Sequence, residues 1–270
     1  MTPSKDSSHE WALILGSSSG MGAATSIELA RSGMNIFGVH LDLRSTLPNA
    51  ERVVAEVKAL GRDAVFFNTN AADPAKRAAV VESIRERLAK DGADAYVRVF
   101  LHSLAFGTLL PFIADNPKEA VSQRQLEMTL DVMANTLVYW TQDLMAANLL
   151  RRGSRIFAMT SSGATRVIPN YGAVSTAKAA LESHVRQLAV ELAPRGIAVN
   201  AVRAGVTDTP ALRKIPGGMA LYERVQKHHP SGRATTPEDV AKAIAALSDP
   251  RLAWMTGNVI GVDGGEDITA

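Results

Sequence analysis

Short apolar runs alternate with stretches of helical periodicity from residue 11 to residue 262 of this chain. The run 11–15 ends on Gly16 and predicts a buried strand. Ala23, Ile27, Leu29 and Ala30 then mark a helix face, with Gly33 placed to close it. Residues 35–41 predict a second strand, 50–60 a helix stopped by Gly61, and 64–67 a third strand. A helix with proline in its first turn follows at 74–88, then a strand at 97–101. Leu126, Leu130, Met133, Leu137, Trp140 and Leu144 keep helical spacing through a long segment at 121–150. The rest predicts strand 156–159, helix 171–192 stopped by Pro194 and Gly196, strand 197–202, helix 237–247 and strand 259–262. The strands are apolar without alternation, as in a parallel sheet covered by helices on both faces. The fold class is therefore α/β. The tract 211–232, with Pro216, Gly217, Gly218, His228, His229 and Pro230, is the least regular and is expected to form a mobile substrate lid.

Composition acts mainly by exclusion. Lys and Arg total 29 against 27 Asp and Glu, and a net charge of +2 gives no case for nucleic acid or an anionic membrane surface. Cysteine is absent, which removes disulfides, thiolate catalysis and Cys-ligated metals. His228 and His229 lack acidic partners at ligand spacing, so no metal is expected and the pair reads as lid surface. The first ten residues are polar, and no apolar run nears the ~18 residues that span a bilayer. The expectation is a cytoplasmic, non-membrane protein forming one domain over 1–270.

Two groups of residues carry chemistry. Gly16, Ser17, Ser18, Ser19, Gly20, Met21 and Gly22 lie directly between the first strand and the first helix. Glycine there allows a diphosphate to approach backbone N–H groups at a helix N-terminus. A tight strand–helix turn without a ligand is the competing reading. The loop lacks the Gly-Lys-Ser/Thr of a P-loop. The second group is Tyr171 and Lys178. Seven residues of helix return to within about 20° of the same face, roughly 10 Å along. A phenol and an ammonium there can share one substrate, and the ammonium is expected to favour the ionised phenol. A surface tyrosine and a snorkelling lysine is the plainer alternative.

With this loop, this pair and the segment Thr256-Gly257-Asn258-Val259-Ile260-Gly261-Val262-Asp263-Gly264-Gly265, the chain resembles a short-chain dehydrogenase/reductase. The resemblance implies a single Rossmann-like doubly wound domain, a seven-stranded parallel sheet, a nicotinamide dinucleotide and a homotetramer. The usual catalytic tyrosine stands four residues before the lysine, where this chain has Val174. Tyr171, seven before, matches the enoyl-acyl carrier protein reductases. So do His102-Ser103-Leu104-Ala105-Phe106, Ile168-Pro169-Asn170 and Ala204-Gly205. Ser161, at the place of those enzymes' second tyrosine, resembles the NADPH-dependent reductases of some bacilli.

The resemblance implies reduction of trans-2-enoyl thioesters, on carrier protein or coenzyme A, in fatty acid synthesis. A 3-oxoacyl or other carbonyl reductase is the alternative, motivated by Ser161 and Asn135. A dinucleotide-binding protein without turnover is the alternative from another class. Tyr171 would donate to the thioester oxygen, and Lys178 would meet the nicotinamide ribose. Ser161 would touch substrate or end a strand, and Asn135 would hold a water near Lys178 or be an ordinary polar residue. Asn70 and Ala71 would lie by the adenine, Ser103, Leu104 and Ala105 beside the cofactor. Gly205, Val206 and Thr209 would flank nicotinamide and diphosphate, and His102 would be structural. His40 stands where NAD enzymes place an aspartate, and Arg44 can reach a 2′-phosphate that Asp42 would repel. The expectation is NADP(H), with NAD(H) as the alternative.

Overall fold

The computed structural model describes residues 9–269. Its strands are β1 (Glu10–Leu15), β2 (Asn35–His40), β3 (Ala64–Asn68), β4 (Tyr96–His102), β5 (Arg155–Thr160), β6 (Ala198–Ala204) and β7 (Val259–Val262). They form one parallel sheet in the order β3-β2-β1-β4-β5-β6-β7. The helices are α1 (Gly20–Arg31), α2 (Leu47–Ala59), α3 (Pro74–Asp91), α4 (Gln123–Leu130), α5 (Thr136–Ala146), α6 (Gly172–Leu192), α7 (Gly218–His228) and α8 (Pro237–Leu247). The fold is Rossmann-like, with the expected seven strands.

The unalternating strands have the predicted cause. In β1, Trp11, Leu13 and Leu15 pack with α3, α5 and α6. Ala12 and Ile14 turn to the other face, against α1, α2 and α8. β5 divides in the same way, Ile156 and Ala158 against Phe157 and Met159. Strand order reverses between β1 and β4, so the carboxyl ends of these two strands open at the switch point where doubly wound sheets bind ligands.

Two departures from the sequence expectation bear on function. The long helix at 121–150 is broken by a π turn, Asp131–Asn135, between α4 and α5. Asn135 therefore sits at the end of a widened turn, where side chains leave the regular helical face. The tract 211–232 is half helical: a 3₁₀ turn at Leu212–Lys214 leads into α7. His229 is buried, with Nδ1 accepting from the Ser231 N–H at 3.0 Å and Nε2 donating to the Asp263 carbonyl at 2.8 Å. It fastens the end of this tract to the chain after β7 instead of lying on a lid surface.

Candidate active site

The glycine loop is shaped by contacts that exclude side chains. Gly16 has φ +87°, and a methyl group there would meet the Ser103 carbonyl oxygen at 2.4 Å. A methyl at Gly22 would lie 2.0 Å from the Gly16 carbonyl oxygen, which seats α1 on the loop. Ser17 is fully buried under the loop, its N–H and hydroxyl both directed to the Val39 carbonyl. Helix α1 starts with no side-chain cap and no acid in its first turn. An open positive helix end beside a glycine cradle fits a diphosphate. Gly22→Ala is expected to lower stability by about 1–3 kcal/mol and abolish dinucleotide binding, read by thermal denaturation and fluorescence titration.

The carboxyl end of β2 holds Asp42 close to this loop. Burial opposes ionisation of Asp42, but hydrogen bonds from Thr46, Ser18 and His40 bring its carboxyl below the usual range. The His40 contact is 2.8 Å. Arg44 is exposed and forms no ion pair among the described residues.

Asn70 Oδ1 accepts from the Ala72 N–H at 3.0 Å in a local turn, and the Ala71 carbonyl accepts from Trp140 Nε1 at 2.9 Å. Ser103 is placed by its N–H on the Leu15 carbonyl, at 2.9 Å, which brings β1 and β4 together under the loop. Leu104 is half-buried and Ala105 exposed.

Opposite lie Tyr171 and Lys178. Asn170 takes a left-handed turn, φ +61°, and Tyr171 follows as the residue before the first turn of α6. Its ring packs on Gly163, where a methyl group would lie 2.6 Å from the ring. Tyr171 is 8% exposed. Burial raises its phenol above 10, opposed by a hydrogen bond with the Ser161 hydroxyl. The expected ammonium-lowered phenol is thus reversed: burial dominates and keeps Tyr171 a neutral donor. Ser161 also accepts from the Gly163 N–H at 3.1 Å, so it both caps its turn and meets Tyr171.

Lys178 is 5% exposed, and its ammonium donates to the Met159 carbonyl at 2.7 Å. Burial pulls its pKa down to about 8, opposed by Glu182. His102 is fully buried beside this network. The Thr136 hydroxyl gives its proton to the Val132 carbonyl, so His102 Nε2 donates to Thr136 Oγ1 at 2.8 Å. Burial and the Lys178 charge lower His102 to about 3, so it is neutral and structural.

The Asn135 side-chain carbonyl accepts from His184 Nε2 at 3.1 Å. Met133, from the same π turn, packs toward Gly107. Met133, Thr129 and Val174 close on Gly107 so tightly that a methyl there would lie 2.9, 2.7 and 2.9 Å from them. Val174, in the usual tyrosine position, belongs to this apolar plug.

Past β6, the Val206 N–H donates to Glu266 Oε2 at 2.8 Å, which commits a donor the sequence had placed against nicotinamide. Gly205 is pressed between Thr235, Glu266 and Asp263. The Thr209 methyl approaches Gly20, and its hydroxyl accepts from the Leu212 N–H at 3.2 Å. The loop, Ser103 and Thr209 are thus brought together.

A family model described as Enoyl-(Acyl carrier protein) reductase matches residues 16–266. The chain belongs to that family of short-chain dehydrogenases/reductases. This reductase is an NAD(P)H-dependent oxidoreductase, which removes the non-catalytic reading. It is 30% identical over 260 residues to 1-cyclohexenylcarbonyl-CoA reductase of Streptomyces collinus, covering 96% of this chain and 87% of that one. It is 33% identical to a 3-oxoacyl-[acyl-carrier-protein] reductase of Aggregatibacter actinomycetemcomitans, covering 95% of this chain and 98% of that one. Its fold matches the enoyl-[acyl-carrier-protein] reductase (NADH) of Aquifex aeolicus with a TM-score of 0.82 and 25% identity, over 97% of each chain. Among the described residues, no helix of the reductase is long and apolar enough to cross a membrane.

Proposed function

We propose that this reductase reduces the conjugated double bond of trans-2-enoyl thioesters. The observation that carries this reading is the pairing of a buried, neutral Tyr171 with a buried Lys178 seven residues on, while Val174 plugs the usual tyrosine position. A nicotinamide dinucleotide held by the loop Gly16–Gly22, Ser103, Thr209 and Lys178 supplies hydride when bound. Tyr171 then donates a hydrogen bond to the thioester oxygen, where negative charge develops as the double bond is reduced. A preplaced donor in a site closed to water stabilises that charge without reorganisation. Lys178 adds positive charge beside the same oxygen, and Ser161 orients the phenol. The relatives named above act, by their names, on coenzyme A and carrier protein thioesters, which supports a thioester here. The tract 211–232, with Leu212, Ile215, Met219 and Leu221, is proposed to cover the acyl chain.

The test is a side-by-side assay of crotonyl and acetoacetyl thioesters with NADH and NADPH. Oxidation of cofactor by the enoyl thioester supports the reading. Reduction of the keto thioester alone would move the assignment to a 3-oxoacyl reductase, the reading favoured by a Ser161 hydroxyl beside the Tyr171 phenol.

For the cofactor, we infer NAD(H) in place of the expected NADP(H). An Asp42 carboxylate held below the usual range beside Ser18 and His40 suits a ribose 2′-hydroxyl and repels a 2′-phosphate, and Arg44 is exposed. NAD(H) is the form this supports. Asp42→Ala is expected to move the kcat/KM ratio toward NADPH by about tenfold, equivalent to ~1.4 kcal/mol.

A further inference from the structure

Lys178 has a neighbour that the proposed reaction leaves unused. Glu182 stands one turn further along α6, and its Oε1 accepts from Thr160 Oγ1 at 2.7 Å. Thr160 ends β5, directly after Met159, whose carbonyl holds the Lys178 ammonium at 2.7 Å. Two successive strand residues thus hold an ammonium and a carboxylate from one helix face. Among the described residues, no direct ion pair joins the two side chains.

The other titratable groups around the ammonium carry no compensating charge. From β4 comes His102, fully buried and neutral. From α6 come the neutral phenol of Tyr171 and, a turn and a half on, His184, whose burial lowers its pKa. From β5 comes only the Met159 carbonyl. Glu182 is the carboxylate with an electrostatic hold on Lys178.

We propose that Glu182 is a positioning residue that keeps Lys178 charged while leaving its remaining N–H groups free. A direct salt bridge would consume a donor needed for ribose and substrate. A carboxylate set back one turn, and kept from rotating inward by Thr160, stabilises the ammonium through space alone. At such a distance, one charge still alters a neighbour's pKa by roughly one unit in a protein interior. A plain structural role, fastening α6 to β5, is the alternative.

The inference rests on the reading of Lys178 as the ammonium of the reductase site. Its test requires neither dinucleotide nor substrate, so failure of the enoyl assay and failure of this assignment are read separately. The probe is the titration of Lys178 Nζ by nitrogen NMR in the cofactor-free protein, with its signal assigned by Lys178→Arg. The parent midpoint is expected at about 8. Glu182→Gln retains an acceptor for Thr160 and removes the charge, so the midpoint falls by roughly one pH unit. Glu182→Asp restores most of that fall. Thr160→Val keeps the charge and frees the carboxylate to swing toward the ammonium, so the midpoint rises. In the active enzyme, the alkaline limb of the kcat profile follows the NMR midpoints. An unchanged Lys178 midpoint in Glu182→Gln overturns the proposal. If that variant does not fold, an unchanged midpoint in Thr160→Val overturns it equally.

Discussion

Tyr171→Phe lowers the rate of enoyl thioester reduction by about 100-fold or more, while dinucleotide affinity stays within about twofold. The substitution removes one hydroxyl from a ring whose position is already fixed by Gly163. Packing is kept, because phenylalanine fills the same volume, and the Ser161 hydroxyl keeps its bond to the Gly163 N–H. What disappears is the donor that meets charge as it forms on the substrate oxygen. Because that charge is absent from the bound substrate, kcat falls and KM stays near its parent value. Steady-state kinetics on crotonyl thioester, with cofactor affinity by fluorescence titration, reads both numbers. An unchanged kcat would remove Tyr171 from the chemistry.

Lys178→Met is expected to abolish turnover and to make the protein more stable. An ammonium that is 5% exposed, with one carbonyl partner, opposes folding. The fall in its pKa from 10.5 to about 8 corresponds to roughly 3 kcal/mol of opposition at neutral pH. Loss of the bond to the Met159 carbonyl returns about 1 kcal/mol of that. A rise in the melting midpoint of about 3–6 °C follows. The sign with pH is set by the unfolded chain, which binds the proton more tightly than the folded one. Between about pH 8 and 10.5 the parent therefore gains stability from this residue as pH rises, and below 8 it carries the full cost. In Lys178→Met that gain is absent. Calorimetry of both proteins at pH 7 and pH 9.5 measures it, and a parent that exceeds the variant at pH 7 would contradict the account.

The reasons why the sequence succeeds and fails are visible in particular residues. Trp11, Leu13 and Leu15 against Ala12 and Ile14 declare a strand buried on both faces, because burial on two sides leaves no room for polar alternation. Helix α8 was legible to the residue, since Thr236, Pro237 and Asp239 form a capping box around a proline start. Tyr171 and Lys178 were legible because helical spacing turns sequence separation into direction. The π turn that ends at Asn135 was not legible, because nothing local in Asp131–Asn135 announces the extra residue. Helix α7 was hidden behind Pro216, Gly217 and Gly218, which read as loop although Gly217 only starts the helix from a left-handed turn, φ +75°. Asp42 needed three dimensions, because its partners Ser18 and Thr46 come from different loops. Glu182 did not: four residues after Lys178 on one helix face, it was available to spacing alone.

The short turn Glu266–Ile268 after β7 has a practical consequence. Glu266 is tied to the Val206 N–H, and Asp267 pairs with Arg203 at 2.8 Å and with Arg166 at 3.1 Å. Arg166 lies in the segment that delivers Tyr171, so this turn is a buckle on the catalytic wall. Asp267→Ala is expected to open that buckle and loosen the wall that carries the phenol.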